Sequence, residues 1–177
     1  MTFGKNLVLS QAIKLLMVMI VGSGMFSSCG MYSFTGASIP PEAKTVSVAL
    51  FPNQADLVQP ILSQTFTEAL RDRFVSQTSL TLVPRNGDLA LEGEITGYTT
   101  EPVAISGSQQ AAQIRLKITV NVRFTNKYDP KADFESKFTR YYDYSSNLNL
   151  FSVEAELIET ITKDLVDDIF NKAVVNW

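Results

Sequence analysis

Ile114-Arg115-Leu116-Lys117-Ile118-Thr119-Val120-Asn121-Val122-Arg123-Phe124-Thr125 alternates apolar and polar side chains without a break. Successive side chains of a strand point to opposite faces. Ile114, Leu116, Ile118, Val120, Val122 and Phe124 therefore share one face, and the polar set shares the other. This is the pattern of an antiparallel strand with one side on a core and one in water. The apolar side needs a cover.

Two helical stretches can supply it. Over residues 56–76, Val58, Leu62, Phe66, Leu70 and Phe74 recur every four positions, with Ile61 and Ala69 widening the stripe. Gln64, Glu68, Arg71 and Asp72 lie off that stripe, as an amphipathic helix requires. Pro60 is tolerable only near the helix start, where its missing N–H costs little. Over residues 149–175, Val153, Leu157, Ile161, Leu165 and Ile169 form a second stripe, joined by Ile158 and Phe170. Glu154 and Glu156 near its start and Lys172 near its end suit the helix dipole.

Further strands flank these helices. Residues 45–51 place Val46, Val48 and Leu50 opposite Thr45, Ser47 and Ala49, and Phe51-Pro52-Asn53 ends the run. Leu80-Thr81-Leu82-Val83 reads as a short strand closed by the turn Pro84-Arg85-Asn86-Gly87. From Asp88 to about Val103, Leu89, Leu91 and Ile95 share a face opposite Ala90, Glu92, Glu94, Thr96 and Tyr98. Gly93 and Gly97 fall on the apolar side, where they allow a bend or a close approach. Asn126-Lys127-Tyr128-Asp129-Pro130 turns the chain into a last strand over 134–144. The order β-α-β-β-β-β-α predicts an α+β two-layer sandwich. Both helices are expected on one face of a mostly antiparallel or mixed sheet of four to five strands. The other face should carry Glu92, Glu94, Arg115, Lys117, Arg123, Glu135 and Lys137. Two of the strands are about twice the usual length and should protrude beyond the helices.

Ahead of this domain, Lys5 and Lys14 precede the apolar run Leu15-Leu16-Met17-Val18-Met19-Ile20-Val21, then Gly22-Ser23-Gly24 and Phe26-Ser27-Ser28-Cys29-Gly30. A membrane-spanning helix needs about 20 apolar residues. The run fits the core of a signal peptide instead. Cys29, the single cysteine, follows small residues as the acylated cysteine of a bacterial lipoprotein does. An ordinary secretory signal that leaves a free thiol is the alternative. The expected organisation is a lipoprotein signal peptide over 1–28, a lipidated tether over 29–43 and a single domain over 44–177. Gly30, Gly36 and Pro40-Pro41 keep the tether irregular, and Tyr32, Phe34 and Ile39 are expected to pack on the domain or a partner. One acyl chain anchors only marginally, so durable attachment needs two or three.

Composition narrows the function. Lys5 and Lys14 leave with the signal, so the remaining 149 residues carry 13 basic and 18 acidic side chains, a net −5. That balance argues against nucleic acid. The chain has no histidine, which removes Ser-His and Cys-His nucleophiles and the usual zinc sites. No cofactor is implied. A hydrolase built on a carboxylate pair stays open as a minor reading. Asp164, Asp167 and Asp168 read better as a solvated helix face than as a metal cluster.

Four stretches together resemble the LptE family, outer-membrane lipoproteins of lipopolysaccharide assembly, and most closely a divergent branch of it. They are Cys29-Gly30-Met31-Tyr32-Ser33-Phe34 with Ile39-Pro40; Lys44-Thr45-Val46-Ser47-Val48 with Phe51-Pro52-Asn53; Gly87-Asp88-Leu89 with Glu92-Gly93; and Asp168-Ile169-Phe170-Asn171-Lys172-Ala173-Val174-Val175-Asn176-Trp177. The resemblance implies a non-enzymatic role. It implies a plug and assembly factor for a large LptD-like β-barrel translocon, assisting lipopolysaccharide transport and insertion. It also implies a periplasmic position on the outer membrane of a Gram-negative cell, with Cys29 carrying lipid, palmitate included. An accessory lipoprotein of another envelope assembly or lipid-transport machine is the alternative.

Arg115, Lys117 and Arg123 are the candidate ligand-binding residues. They point to one side of one strand, and a spaced row of cations suits a ligand with several phosphates. The competing expectation is a cross-strand ladder in which Glu92, Glu94 and Glu135 neutralise that row.

Overall fold

The computed structural model describes residues 39–103 and 112–174. Five strands form one mixed sheet in the order β2-β1-β3-β4-β5. They are β1 (Thr45–Val48), β2 (Thr81–Leu82), β3 (Leu89–Val103), β4 (Gln113–Asn126) and β5 (Phe134–Ser145). Helices α1 (Pro60–Gln77) and α2 (Leu150–Val174) cover one face. The fold is the expected α+β sandwich. β3, β4 and β5 form an antiparallel meander, while β1 pairs parallel to both β2 and β3.

The alternation of β4 carries through to three dimensions. Leu116, Ile118, Val120, Val122 and Phe124 are buried beneath the helices. Leu62, Phe66, Leu70 and Phe74 of α1 and Leu157, Ile158, Ile161, Leu165 and Ile169 of α2 face them. Phe74 and Phe170 meet edge to face at 5.1 Å and tie the helices together. Ile39 packs against this core, as expected. Tyr32, Phe34 and Cys29 lie outside the described residues.

The expectations at the start of the domain need correction. β1 ends at Val48, and Leu50, expected inside, is 61% exposed. The chain swings under the sheet instead and buries Phe51. The Phe51 N–H donates to Thr67 Oγ1, Ser63 Oγ donates to the Phe51 carbonyl, and its ring meets Phe66 at 5.1 Å. Three helix side chains thus hold what the strand pattern alone could not. The helix begins at Pro60 rather than near 56, so Val58 and Ile61 are exposed. Residues 53–59 are spent on a turn: Asn53 accepts from the Ala55 N–H and donates to the Gln59 carbonyl. Asn53 also bridges in parallel to Ile95.

A β-bulge changes the reading of β3. Ile95 pairs with Val120, but Gly97 pairs with Thr119, so Thr96 is the extra residue. One extra residue inverts every side chain beyond it. Tyr98, expected on the polar face, is buried at 5% exposure, and its hydroxyl donates to Glu154 of α2. Gly97 moves to the outer face and Glu101 goes with it. Beyond Tyr98, residues 99–102 are exposed on both faces, so this end of β3 extends past the helices as expected.

Gly93 allows the close approach its position suggested. A Cβ there would stand 2.0 Å from the Asn121 carbonyl oxygen and 2.6 Å from the Phe51 ring.

Candidate functional site

Arg115, Lys117 and Arg123 all stand on the outer face of β4, away from the helices, as their parity requires. Each has an acid within reach. Arg115 forms a two-pronged pair with Asp143, Nε to Oδ1 at 2.7 Å and Nη2 to Oδ2 at 2.8 Å. Its guanidinium also lies 3.7 Å from the centre of the Tyr141 ring. Lys117 pairs with Glu101 at 3.1 Å and Arg123 with Glu135 at 3.1 Å. The bonds leave their mark on proton affinity. Hydrogen bonding from Arg115 holds Asp143 below the usual carboxylate range, and the same bond raises Arg115. Asn121 and then Arg123 hold Glu135 down.

Of the acids expected beside this row, Glu135 takes part as foreseen. Asp143 and Glu101 are the partners sequence reasoning missed. Asp143 is displaced from Glu135 and Lys137 by whole two-residue steps, and that parity was the available signal. Glu101 was hidden, because the bulge at Thr96 is what brings it to this face. Around Arg123 the balance is acidic: Glu92, Glu94 and Glu135 share a shallow cleft of about 300 Å³ with it. Asp167 and Asp168, the helix acids, are also committed. Arg73 pairs with Asp167 at 3.1 Å, and Arg140 grips Asp168 with two 2.6 Å bonds.

A second cleft, about 620 Å³, adjoins the Arg123 cleft on the outer face, over β1 and the start of β3. It exists because β2 and β3 flank β1 and run parallel to it, so residues 83–88 must cross over β1 to join them. Gly87 makes the crossing possible: a Cβ would stand 2.4 Å from the Ser47 nitrogen. Asp88 locks it. Its Oδ2 accepts from the Lys44 and Thr45 N–H groups and from Thr45 Oγ1, at 2.9–3.1 Å. The Asp88 N–H donates back to Thr45 Oγ1 at 2.9 Å, and the Gly87 N–H to Ser47 Oγ at 3.0 Å. The Gly87-Asp88 pair that carried part of the resemblance is thus a structural clasp.

That clasp sets a pH dependence. The Lys44 N–H, followed by the Thr45 hydroxyl, lowers Asp88 from 3.8 to about 2. A carboxylate with a depressed folded pKa stabilises the protein above its unfolded pKa and ceases to do so as pH falls through the folded value. Stability should therefore drop between about pH 4 and pH 2. Asp143 and Glu135, lowered likewise, act in the same direction. Urea melts at a series of pH values check this. The Asp88→Asn protein should be weaker at pH 7 and lose less than its parent on acidification. Parallel curves for the two would remove Asp88 from the account.

The domain is a small α+β sandwich with one face given to cross-strand ion pairs, and its described residues hold no metal-binding cluster. Nor is any described helix long and apolar enough to cross a membrane. The chain belongs to the LptE lipopolysaccharide-assembly family, whose model matches residues 43–173. This is a family of non-enzymatic envelope lipoproteins. Comparison with curated protein sequences gives no match. Among solved structures, a minor lipoprotein from Acinetobacter baumannii is similar at 16% identity, covering 73% of this chain and 91% of its own, with a TM-score of 0.49. Rare lipoprotein B from Shewanella oneidensis is similar at 14% identity, covering 71% and 91%, with a TM-score of 0.45. A PelC dodecamer from Paraburkholderia phytofirmans gives 14%, 73% and 92%, with a TM-score of 0.41.

Proposed function

We propose that the protein is an outer-membrane lipoprotein that partners a large LptD-like β-barrel as plug and assembly factor and assists lipopolysaccharide insertion. The observation that carries this reading is the family match over residues 43–173. Cys29 is the anchor: its thiol takes a diacylglyceryl thioether, residues 1–28 are then removed, and the lipid holds the domain on the periplasmic side of the membrane. Arg115, Lys117 and Arg123 remain the proposed contacts to lipopolysaccharide phosphates or to the barrel wall. Their pairing sets a condition on that role, since a phosphate must displace Asp143, Glu101 or Glu135 to reach them.

One purification tests both halves of the proposal. Mild-detergent extraction of the tagged full chain should bring down a single barrel protein of translocon size, and mass spectrometry should find an acylated Cys29 at the mature N-terminus. Recovery of an inner-membrane ATPase instead would move the protein to a lipid-transport machine. An unmodified N-terminus at another residue would end the lipoprotein reading. In the Arg115→Gln/Lys117→Gln double variant, lipopolysaccharide binding should weaken. Binding that is unchanged across a salt titration would leave the row as a solvated face.

A further inference from the structure

In the helical layer, α1 and α2 lie side by side with a groove of about 310 Å³ between them. Ala69 of α1 and Val166 of α2 give it a small, apolar floor. Two polar atoms on this groove have nothing to bond. Thr162 is 2% exposed and lines the groove, and its Oγ1 has no hydrogen-bond partner among the described residues. A helical threonine can satisfy its hydroxyl on the carbonyl four residues back. Thr67 does so on Ser63 and Thr160 on Glu156. Thr162 makes no such bond.

Arg73 supplies the second orphan. Its Nη2 pairs with Asp167 at 3.1 Å, and its guanidinium lies 5.0 Å from the centre of the Phe170 ring. Those contacts fix the side chain and leave Nε buried and unpartnered. Buried polar groups in folded proteins are nearly always hydrogen-bonded, because an unmade bond costs the full desolvation of the group. Both orphans can donate, so what the groove lacks is an acceptor oxygen.

The lining decides what carries that oxygen. Asp72, Glu159 and Asp167 outnumber Arg73 and Lys163, which disfavours an anion. A carbonyl is the strong neutral acceptor that remains. A methyl group beside it suits the floor of Ala69 and Val166, and the exposed Asp72 and Glu159 can accept from N–H and O–H groups. The volume is at the small end of ligand sites, enough for a single ring.

We infer that this interhelical groove binds an N-acetylated amino sugar, with Thr162 and Arg73 donating to the acetamido carbonyl and the methyl set on the floor. The inference goes beyond the barrel reading and does not depend on it, because the binding is measured with no barrel present.

The test is an NMR titration of the ¹⁵N-labelled full chain in detergent with N-acetylglucosamine and, separately, with glucose, which lacks the acetamido group. The acetylated sugar alone should shift the amides of Ala69, Arg73, Thr162 and Val166 to saturation. Thr162→Val keeps the shape of the side chain and removes the hydroxyl. It should weaken the binding about tenfold or more and raise the melting temperature, because an unsatisfied buried group is gone. Arg73→Lys keeps the charge beside Asp167 but loses Nε, and should weaken the binding in the same way. Arg115→Gln, on the sheet's outer face, should leave it unchanged. Equal shifts with glucose, no shifts with either sugar, or undiminished binding by the Thr162→Val protein would overturn the inference. So would a Thr162→Val protein that melts below its parent, since the hydroxyl would then be satisfied within the fold.

Discussion

Leu165→Ala and Ile118→Ala are each expected to cost about 2–5 kcal/mol, the range for truncating a fully buried aliphatic side chain. Both residues are at 0% exposure, one on α2 and one at the centre of β4. They belong to the same core from opposite layers, so each truncation leaves a void that helix and sheet cannot both close. Total stabilities of single domains run to about 5–15 kcal/mol. Either change should therefore lower the urea midpoint markedly, and the pair together should leave the domain unfolded or nearly so. Midpoints within a small fraction of the parent's would mean that the layers do not meet where the structure puts them.

Gly93→Ala should be as damaging with a single added methyl. The new carbon would fall 2.0 Å from a backbone oxygen of β4 and 2.6 Å from the buried Phe51 ring. Neither neighbour is the free end of a flexible chain, so β3 must move away from β4. Overpacking of a tight interior costs about 1–3 kcal/mol and sometimes more, and a displaced central strand belongs at the upper end. Gly97→Ala is the control. Its nearest neighbour would be the Thr119 Cβ at 3.2 Å on the open outer face, and a strand glycine replaced by alanine regains about 0.5–1 kcal/mol of backbone entropy. That protein should be close to its parent. Urea denaturation of the two alanine proteins side by side decides the matter.

The contrast between these glycines shows what the sequence could reveal. Period two made β4, and with it the two layers, legible from twelve residues, because burial and alternation are the same fact seen twice. Parity then placed Arg115, Lys117, Arg123 and Glu135 correctly on the outer face. It failed at Thr96, since an inserted residue leaves no local trace in a strand of mixed composition. The consequence was a misplaced Tyr98 and a hidden Glu101. It also failed at Leu50 and Val58, where apolar side chains continue a pattern past the point at which Phe51 and Asn53 have turned the chain. The parallel pairing of β1 with two strands, and so the cleft beside the crossover, depends on contacts between residues 36 and 43 positions apart. Gly87 was visible as the end of a turn and Asp88 as the start of a strand, but not as a crossing laid over another strand.

The crossover also bears on the order in which the chain comes together. β3, β4 and β5 are neighbours in sequence as well as in space, so their pairing closes short loops. The clasp joins Thr45 to Asp88, which are 43 positions apart, with all of α1 between them. Closing a longer loop costs more chain entropy, and distant pairings slow folding. The meander is thus the natural nucleus. The clasp acts as a latch that shuts after α1 has formed and brought β1 alongside β3. A latch of this kind governs escape from the native state more than entry into it. What looks in the finished fold like one more set of hydrogen bonds then acts on lifetime: loosening Asp88 would leave the folding rate nearly intact and hasten unfolding.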